Sequence, residues 1–311
     1  MDHFPVNFMR FGLSFALLSV KRPRVGVIFV HGFDGGPTTT WVDFRGMMRH
    51  DGNQIAFWRD CDLFFYSYVS SDQIPALAEQ FLDFLTSVAA VKGQDLSDSE
   101  YPLPSSKDYV LGSRPELAKL RGEDPYEALI LVGHSTGAVI IRKAIEDRIK
   151  TVLKDHPDSA KWESSIGDGA VASYDLLIAK SSLRFFAPAH LGFLGAGKLG
   201  AAKQIPIIDR IVGIHLESKP LFHNLKHDCP TLVDLRASTE KLYEKHKQLR
   251  AFKATMLFGT HEEIVYQGGY DHDDLLPTVP GHYHSSICKP NVDYLKPVEF
   301  VTAQTASAKN A

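Results

Sequence analysis

The sequence predicts an open, mostly parallel α/β sheet with helices on both faces, formed as one domain by residues 1–311. Residues 25–30 (VGVIFV) and 128–132 (ALILV) are short apolar runs, typical of strands that are buried on both faces of a parallel sheet. Across residues 72–91, apolar side chains recur at three- and four-residue steps, which predicts an amphipathic helix. Strands that alternate with helices in this way indicate the α/β class.

The remaining segments continue this alternation, with two interruptions. Residues 92–124, rich in Gly, Ser, Asp and Pro, predict a surface insertion. Residues 192–230 predict either a cap segment over the carboxyl edge of the sheet or an ordinary helix and loop packed beside it. The other predicted elements are an N-terminal strand or hairpin at residues 11–20, strands at residues 63–69, 183–187 and 253–258, and helices at residues 138–153 and 237–249.

The charge balance excludes one large class of proteins. The chain has 34 basic and 37 acidic residues and a net charge of −3, so it lacks the basic surface that nucleic-acid binding requires. Hydrophobic residues make up 44% and charged residues 23%, as in folded globular proteins rather than disordered chains. Three widely spaced cysteines, Cys61, Cys229 and Cys288, form neither a disulfide framework nor a paired zinc motif, which indicates a reducing compartment.

The apolar stretch at residues 11–20 is the candidate targeting segment. A membrane-spanning helix needs about 20 apolar residues, and this stretch is too short. A secretory signal would carry basic residues ahead of the stretch and a small-residue cleavage site behind it. Here Arg10 is the only Lys or Arg ahead of the stretch, Asp2 and His3 lie at the front, and no A-x-A follows. We therefore expect no transmembrane segment and a cytoplasmic location.

A G-x-S-x-G sequence, Gly133-His134-Ser135-Thr136-Gly137, lies between a predicted strand and a predicted helix. The two glycines permit a sharp turn that raises the serine hydroxyl above the edge of the sheet and holds the serine in a strained conformation. The N-terminus of the following helix favours negative charge at the same place. Ser135 is therefore the candidate nucleophile of an acyl-transfer enzyme.

Acyl transfer also needs two backbone N–H groups directed at the oxyanion of the intermediate. In enzymes with this turn, one donor is the residue after the nucleophile, here Thr136, and the other lies in the loop after an early strand, here Phe33. His31-Gly32 begins that loop, directly after the strand at residues 25–30. We interpret the His31 side chain as structural, bracing the loop through hydrogen bonds.

A histidine base and a carboxylate are expected late in the chain, because enzymes of this kind order their triad as serine, acid and histidine. Residues 281–290 (GHYHSSICKP) offer His282 and His284 as the base. The segment after the strand at residues 253–258 offers several carboxylates. The candidates for the acid are Glu262, Glu263 and Asp271.

Four segments together resemble one known family. IFVHGFDGGPTTTW, LVGHSTGAVIIRKAI, FFAPAHLG and HSSICKP, in this order, are similar to segments of the serine active site-containing proteins, which belong to the lipase-like serine esterases. The resemblance extends from residue 25 to residue 290 and implies the α/β-hydrolase fold and esterase activity. It also implies that Ser135 is the nucleophile and that His284, rather than His282, is the base. His190, in a P-H-x-G segment with one inserted alanine, is interpreted as structural.

The acid is the position at which the chain departs from this family. The family often places a glutamate at the end of the strand that corresponds to residues 253–258, where this chain reads FGT. The spacing G-x-x-acid-x-x-V, common in other α/β hydrolases, is instead matched by Gly259, Glu262 and Val265. We expect Glu262 to be the acid. The alternatives are Glu263 and Asp271.

The sequence therefore predicts a serine hydrolase that cleaves carboxylic esters through a covalent acyl-enzyme. The expected substrate is a lipid or another small-molecule ester, with no cofactor and no metal; thioester, amide and transacylase chemistry use the same groups and stay open. One alternative is an α/β-hydrolase-like scaffold that binds a ligand or protein without turnover. Another is a metal-assisted hydrolase using the histidines and carboxylates of residues 261–284, because His282 and His284 on one strand would point to the same side.

Overall fold

The structure of the protein is a computed structural model that describes residues 3–7, 11–19, 23–47, 57–58, 60–89, 126–162, 171–194 and 219–303 of the 311 in the chain. The predicted surface insertion at residues 92–124 lies outside the described residues. The predicted cap segment at residues 192–230 is described at its two ends, residues 192–194 and 219–230, and its middle lies outside the described residues.

The described residues form ten strands. In chain order these are β1 (His3–Asn7), β2 (Phe15–Ser19), β3 (Val25–Val30), β4 (Cys61–Tyr66), β5 (Ala128–His134), β6 (Ser182–Phe186), β7 (Ala254–Leu257), β8 (Gly259–His261), β9 (Asp274–Leu275) and β10 (Val279–Tyr283). Eight of them make one sheet in the order β1-β2-β4-β3-β5-β6-β7-β9, and β8 pairs with β10 in a second, two-stranded sheet.

The strand order reverses at β3, which pairs in parallel with both β4 and β5. All neighbours from β4 to β9 are parallel, whereas β1 and β2 are antiparallel additions at one edge. In open α/β sheets, ligands bind beyond the carboxyl ends of the strands at which the order reverses. The loops that follow β3 and β5 are therefore where a functional site is expected.

Helices cover both faces of the sheet. They are α1 (Val42–Met47), α2 (Ile74–Ala89), α3 (Thr136–Asp155), α4 (Ser173–Ala179), α5 (Pro220–Asn224), α6 (Pro230–Lys245) and α7 (Lys296–Thr302). On one face, Phe29 of β3 packs on Phe44 of α1 and stacks on Phe65 of β4. The next residue, Tyr66, points to the other face and packs on Phe84 of α2, because successive side chains of a strand alternate between faces.

The N-terminal strand or hairpin predicted at residues 11–20 appears as one strand, β2, whose hairpin partner β1 lies before that range. The predicted central strands are confirmed. β1 and β2 pair antiparallel, β3 has the predicted bounds, and β5 continues beyond residues 128–132 as far as His134. The strands predicted at residues 183–187 and 253–258 appear as β6 and β7, with ends that differ by one residue. The helices predicted at residues 72–91 and 138–153 appear as α2 and α3.

Two predicted elements had wrong bounds. The strand predicted at residues 63–69 begins at Cys61 and ends at Tyr66, because the next N–H groups bind side chains instead of the sheet: Ser67 donates to Ser14 Oγ (2.8 Å) and Tyr68 to a His31 ring nitrogen. The helix predicted at residues 237–249 spans Pro230–Lys245 as α6. A proline suits the first turn of a helix, where its missing N–H would have no acceptor.

This strand order, with helices on both faces and a serine at the turn after β5, is the α/β-hydrolase fold that the sequence predicts. Strands β3, β5 and β6 lie in the middle of the sheet, and nearly all of their side chains are buried. Among the described residues, no helix combines the length and the apolar character that crossing a bilayer requires.

Candidate active site

Ser135 lies at the turn between β5 and α3, where the G-x-S-x-G sequence predicts it. Its backbone has φ 53° and ψ −121°, and such a conformation costs a residue other than glycine about 1–3 kcal/mol. Three hydrogen bonds hold this backbone. The Ser135 N–H donates to the carbonyl of Phe186 (3.0 Å), and the Ser135 carbonyl accepts from the N–H groups of Ala138 and Ala189 (3.2 Å each). The end of β6 and the loop after it therefore hold the serine in a strained turn.

The two glycines of the turn are required by close backbone packing. A Cβ on Gly133 would lie 2.6 Å from Cα of Ala138, and a Cβ on Gly137 would lie 2.3 Å from the carbonyl oxygen of Val30. The first turn of α3 thus sits directly against the end of β3. Thr136 is the first residue of α3, and the first N–H groups of a helix have no acceptor within the helix, which leaves the Thr136 N–H available to a ligand.

The loop after β3 lies beside this turn. A Cβ on Gly32 would be only 2.9 Å from Cβ of Ser135, so the backbone at Gly32-Phe33 passes close to the serine. The N–H of Phe33 donates to no acceptor among the described residues. The two predicted oxyanion donors, Phe33 and Thr136, are therefore on the two segments that flank Ser135.

His31 braces this loop from inside, as the sequence interpretation expects. Its Nδ1 lies 2.8 Å from the carbonyl oxygen of Gly32, and its Nε2 accepts from the Tyr68 N–H at 3.4 Å. The ring also stacks on the Tyr68 ring, with centroids 4.3 Å apart. Burial lowers the pKa of His31 to about 4, so the ring is neutral near pH 7. Both ring nitrogens are occupied, which leaves neither for chemistry.

Glu262 and His284 are joined by hydrogen bonds. Nδ1 of His284 lies 3.0 Å from each carboxylate oxygen of Glu262, whose side chain is fully buried. The same carboxylate accepts the backbone N–H groups of Ile264 (2.9 Å) and Val265 (3.0 Å). Because an ionised carboxylate only accepts, Nδ1 carries a proton, and Nε2 of a neutral ring is left as the proton acceptor.

The two alternative acids do not approach this histidine. Glu263 is exposed, because it follows Glu262 directly and its side chain points the other way. Asp271 is 85% exposed and pairs with Arg236 at 3.0 Å. Among the three candidate carboxylates, Glu262 is therefore the one that the fold places on His284.

His134 connects His284 to the serine turn. Its Nε2 lies 2.9 Å from the backbone carbonyl oxygen of His284, and the two ring centroids are 4.8 Å apart. A carbonyl only accepts, so Nε2 of His134 donates. Burial, followed by the charge of His284, lowers the pKa of His134 to about 3, so the ring stays neutral. This hydrogen bond ties the backbone of His284 to the residue that precedes Ser135, a link that the sequence analysis missed.

The Ser135 hydroxyl makes no hydrogen bond to the His284 ring in the part of the chain that the structure describes. In unliganded enzymes this bond is often long or poorly aligned, and it shortens when substrate binds. The serine and the acid–histidine pair nevertheless lie at the same edge of the sheet, because His134 contacts His284 and adjoins Ser135.

The histidines of residues 261–284 face separate partners. Three of them stack on tyrosine rings, one of these three also lies 2.7 Å from a backbone carbonyl oxygen, and His284 pairs with Glu262. β10 ends at Tyr283, so His282 and His284 do not share a strand as the metal hypothesis requires. Within the described ranges, no group of three or more His, Cys, Asp or Glu side chains is arranged to hold a metal ion.

A buried ion pair holds the segment that carries the acid and the histidine. Arg142 of α3 donates from Nη2 to both carboxylate oxygens of Asp273 (2.9 Å each), and both side chains are almost fully buried. Asp273 also accepts the N–H groups of Ala254 and Tyr270, both at 2.8 Å. Asp273 lies between Glu262 and His284 in the chain. The Arg142–Asp273 pair therefore connects α3, the helix that follows Ser135, to the segment that carries the acid and the histidine. No local sequence pattern marks this pair, whose members are 131 residues apart.

Removing the charge of Asp273 should destabilise the fold strongly. In Asp273→Asn, the Arg142 guanidinium is left buried without its anion, and breaking a buried pair in this way costs about 3–5 kcal/mol. The matched control is Asp271→Asn, two residues away, which removes an exposed ion pair and should leave stability unchanged. Urea denaturation measures both free energies of unfolding; equal values for the two variants would contradict the role given to the pair.

His190 lies beside this ion pair and is buried, as its structural interpretation expects. Its ring packs against Phe185 and Tyr270, with centroids 5.3 Å and 5.2 Å away. Burial, followed by the charge of Arg142, lowers the pKa of His190 well below its usual value. The residue therefore fills the core as a neutral ring.

The described ends of the predicted cap segment lie against the loop after β3. Phe193 packs edge-on against Phe33, with centroids 6.4 Å apart. Lys219 pairs with Asp34 at 2.6 Å, and its ammonium lies 5.2 Å from the centre of the Phe33 ring. Both described ends of the segment therefore contact Phe33, whose N–H is one of the two predicted oxyanion donors.

Among known proteins, the chain is similar to several solved structures. No protein-family model matches the chain, and no curated protein sequence matches it significantly. Mature lipase BlEst2 from Bacillus licheniformis has 15% identity and a TM-score of 0.46, covering 92% of this chain and 96% of that one. Carboxylesterase CesB from Bacillus subtilis has 14% identity and a TM-score of 0.41, covering 97% and 92%. Monoacylglycerol lipase from Paleococcus ferrophilus has 14% identity and a TM-score of 0.39, covering 97% and 96%. These scores are low, and it is the strand order and the serine turn of the chain itself that establish the fold.

Proposed function

We propose that this protein is a serine hydrolase that cleaves carboxylic esters through a covalent acyl-enzyme. The observation that carries the proposal is the Glu262–His284 pair, with both carboxylate oxygens 3.0 Å from Nδ1, held by His134 beside the strained turn of Ser135. A buried carboxylate on Nδ1 fixes the tautomer in which Nε2 can take a proton from a serine hydroxyl.

The proposed reaction has two halves. Ser135 Oγ attacks the ester carbonyl while Nε2 of His284 takes its proton, and the N–H groups of Phe33 and Thr136 bind the oxyanion of the tetrahedral intermediate. His284 then gives the proton to the leaving alcohol, and the acyl group stays on Ser135. Water, activated by the same histidine, attacks the acyl-enzyme and releases the acid. Glu262 keeps the ring oriented and stabilises its protonated form.

The proposed substrates are lipid esters or other small-molecule esters. The resemblance of four segments to the serine active site-containing proteins supports this class, and the site geometry supports acyl transfer to a serine. A panel of p-nitrophenyl esters of graded acyl length tests it: we expect hydrolysis with a preferred chain length. Folded protein that hydrolyses no ester would favour the non-catalytic scaffold, and activity abolished by EDTA and restored by zinc would favour the metal-assisted alternative.

The other expectations from the sequence belong to the same proposal. We expect one α/β-hydrolase domain over residues 1–311, no cofactor and no nucleic-acid partner. A cytoplasmic location stays a prediction from cysteine usage, and Cys61, Cys229 and Cys288 are free thiols in the structure.

His134 is proposed to position the catalytic histidine. In His134→Leu the donor to the His284 carbonyl is lost, and an unsatisfied buried acceptor costs about 1–3 kcal/mol. We therefore expect kcat to fall about 10–100-fold with little change in KM. His134→Gln places an amide N–H near the lost Nε2–H and should restore much of kcat. If both variants lose the same activity, or if only their thermal stability falls, the hydrogen bond has no positioning role.

A further inference from the structure

A cavity of about 700 Å³ lies at the amino-terminal edge of the sheet. It is lined by the first residues of β6, by residues around the start of β7, by α7, and by the end of α6 with the segment after it. Ser135 follows the carboxyl end of β5, which runs parallel to β6. The cavity and the candidate active site are therefore at opposite edges of the sheet. Its volume is that of an ordinary small-molecule site.

The charges around this cavity are unbalanced. Five basic and two acidic side chains line it. Each acidic side chain is paired: Lys253 with Asp274 at 2.8 Å, and Lys296 with Glu299 at 3.5 Å. The basic side chains without a carboxylate partner among the described residues are Arg184, Lys247 and Arg250. The cavity thus carries a surplus of three positive charges in a chain whose net charge is −3.

Arg184 is a buried cation that binds only neutral oxygens. Its guanidinium donates to the carbonyls of Phe300, Leu183 and Ala303 and to Oγ1 of Thr255, at 3.1–3.2 Å. These are four bonds for a group with about five N–H donors, so one donor is left over. Burial lowers the pKa of Arg184, and the charge of Asp274 acts in the opposite direction. Because a buried charge that makes no direct ion pair is costly, an anionic ligand in the cavity would offset that cost.

A second polar group at the cavity lacks a partner. Ser181 lines the cavity. It is fully buried, and its hydroxyl has no hydrogen-bond partner among the described residues. Buried polar groups in native proteins are almost always bonded, to protein, water or a ligand. A hydroxyl and a guanidinium with unused donors at one cavity indicate a site for a group with several acceptor oxygens.

We propose that this cavity binds a small organic phosphate. A phosphate group supplies acceptor oxygens and up to two negative charges, which match the unpaired arginines and the lysine. The rest of the wall includes the apolar side chains of Leu276 and Phe300, which suit the organic part of the ligand. The proposal is independent of the esterase chemistry, because none of the residues that line the cavity belongs to the candidate active site.

Isothermal titration calorimetry on the full chain tests this site, with phenyl phosphate, inorganic phosphate and phenol as probes. At physiological ionic strength we expect phenyl phosphate to bind with a dissociation constant of about 1 mM or below. Inorganic phosphate should bind more weakly, because it leaves the apolar wall uncovered, and phenol should not bind. Binding should weaken as the salt concentration is raised, because two of the cations, Lys247 and Arg250, are exposed and salt screens their attraction for the phosphate.

The matched variants locate the binding. Lys247 and Arg250 are exposed, so replacing both by alanine should leave the fold intact, and we expect phenyl phosphate to bind about tenfold more weakly. Lys241→Ala removes an exposed cation of α6 that does not line the cavity. This variant should bind phenyl phosphate as tightly as the wild type does. Wild-type protein that binds no phenyl phosphate would overturn the proposal. So would a Lys247/Arg250 double variant that binds it as tightly as the wild type, because the ligand would then lie elsewhere.

Discussion

Replacing Ser135 by alanine is expected to lower kcat for ester hydrolysis by about 10⁶, since the loss of a triad nucleophile leaves only binding and oxyanion stabilisation. The turn itself should survive, because its backbone is held by the carbonyl of Phe186 and the N–H of Ala189 rather than by the serine hydroxyl. Alanine also keeps the Cβ that the strained φ already accommodates. Steady-state kinetics and the thermal midpoint together measure the effect, and the midpoint should stay close to that of the wild type.

A matched control for this variant is Ser285→Ala. Ser285 follows His284 directly and is exposed, so it shares the neighbourhood but has no place in the proposed chemistry. Its removal should leave kcat unchanged. Activity of Ser135→Ala within about tenfold of the wild type would be far above the residual catalysis that such variants keep, and Ser135 could not then be the nucleophile.

Glu262→Gln is expected to lower kcat by about 10⁴ with little change in KM, because the wrong histidine tautomer is then favoured. One Glu262 oxygen accepts the N–H groups of Ile264 and Val265 at 2.9 and 3.0 Å. The amide oxygen of glutamine takes over these two bonds, which turns its NH₂ group toward Nδ1 of His284. The ring proton then moves to Nε2, and His284 cannot accept the proton of Ser135.

The two other carboxylates of the acid segment are controls for this variant. Glu263 is exposed, and Asp271 pairs with Arg236 at the surface, so Glu263→Gln and Asp271→Asn should keep most of the activity. If Glu262→Gln stays active while Asp271→Asn does not, the acid lies on the later loop, and the proposed alignment of Glu262 with the G-x-x-acid-x-x-V spacing is wrong.

The elements that the sequence predicts well are those marked by local constraints. β3 and β5 are buried on both faces, so their residues must be apolar, and the turn at Ser135 admits only glycine at positions 133 and 137. Both constraints act on neighbouring residues and are visible in one sequence. The ends of strands are harder to predict. β4 ends because the next N–H groups, those of Ser67 and Tyr68, donate to the side chains of Ser14 and His31, which are distant in the chain.

The short strands and the choice of acid depend on contacts that a single sequence does not show. β9 has two residues, both exposed, and β10 is mostly exposed, so neither has an apolar pattern. Glu262 and Glu263 are chemically identical neighbours, and what separates them is which of the two points at His284, 22 residues later. The bond from His134 to the His284 carbonyl spans 150 residues and has no local signature.

Mass spectrometry of the intact protein after treatment with a fluorophosphonate tests the central claim most directly, since an activated serine oxygen attacks the phosphorus of this reagent, displaces fluoride and keeps the phosphonyl group. The proposal predicts a single adduct on the wild type, mapped by peptide sequencing to Ser135. It also predicts no adduct on Ser135→Ala, much slower labelling of Glu262→Gln, and unchanged labelling of Ser285→Ala. Folded wild-type protein that takes up no label, or an adduct that persists in Ser135→Ala, would contradict the assignment of Ser135 as a nucleophile activated by His284 and Glu262.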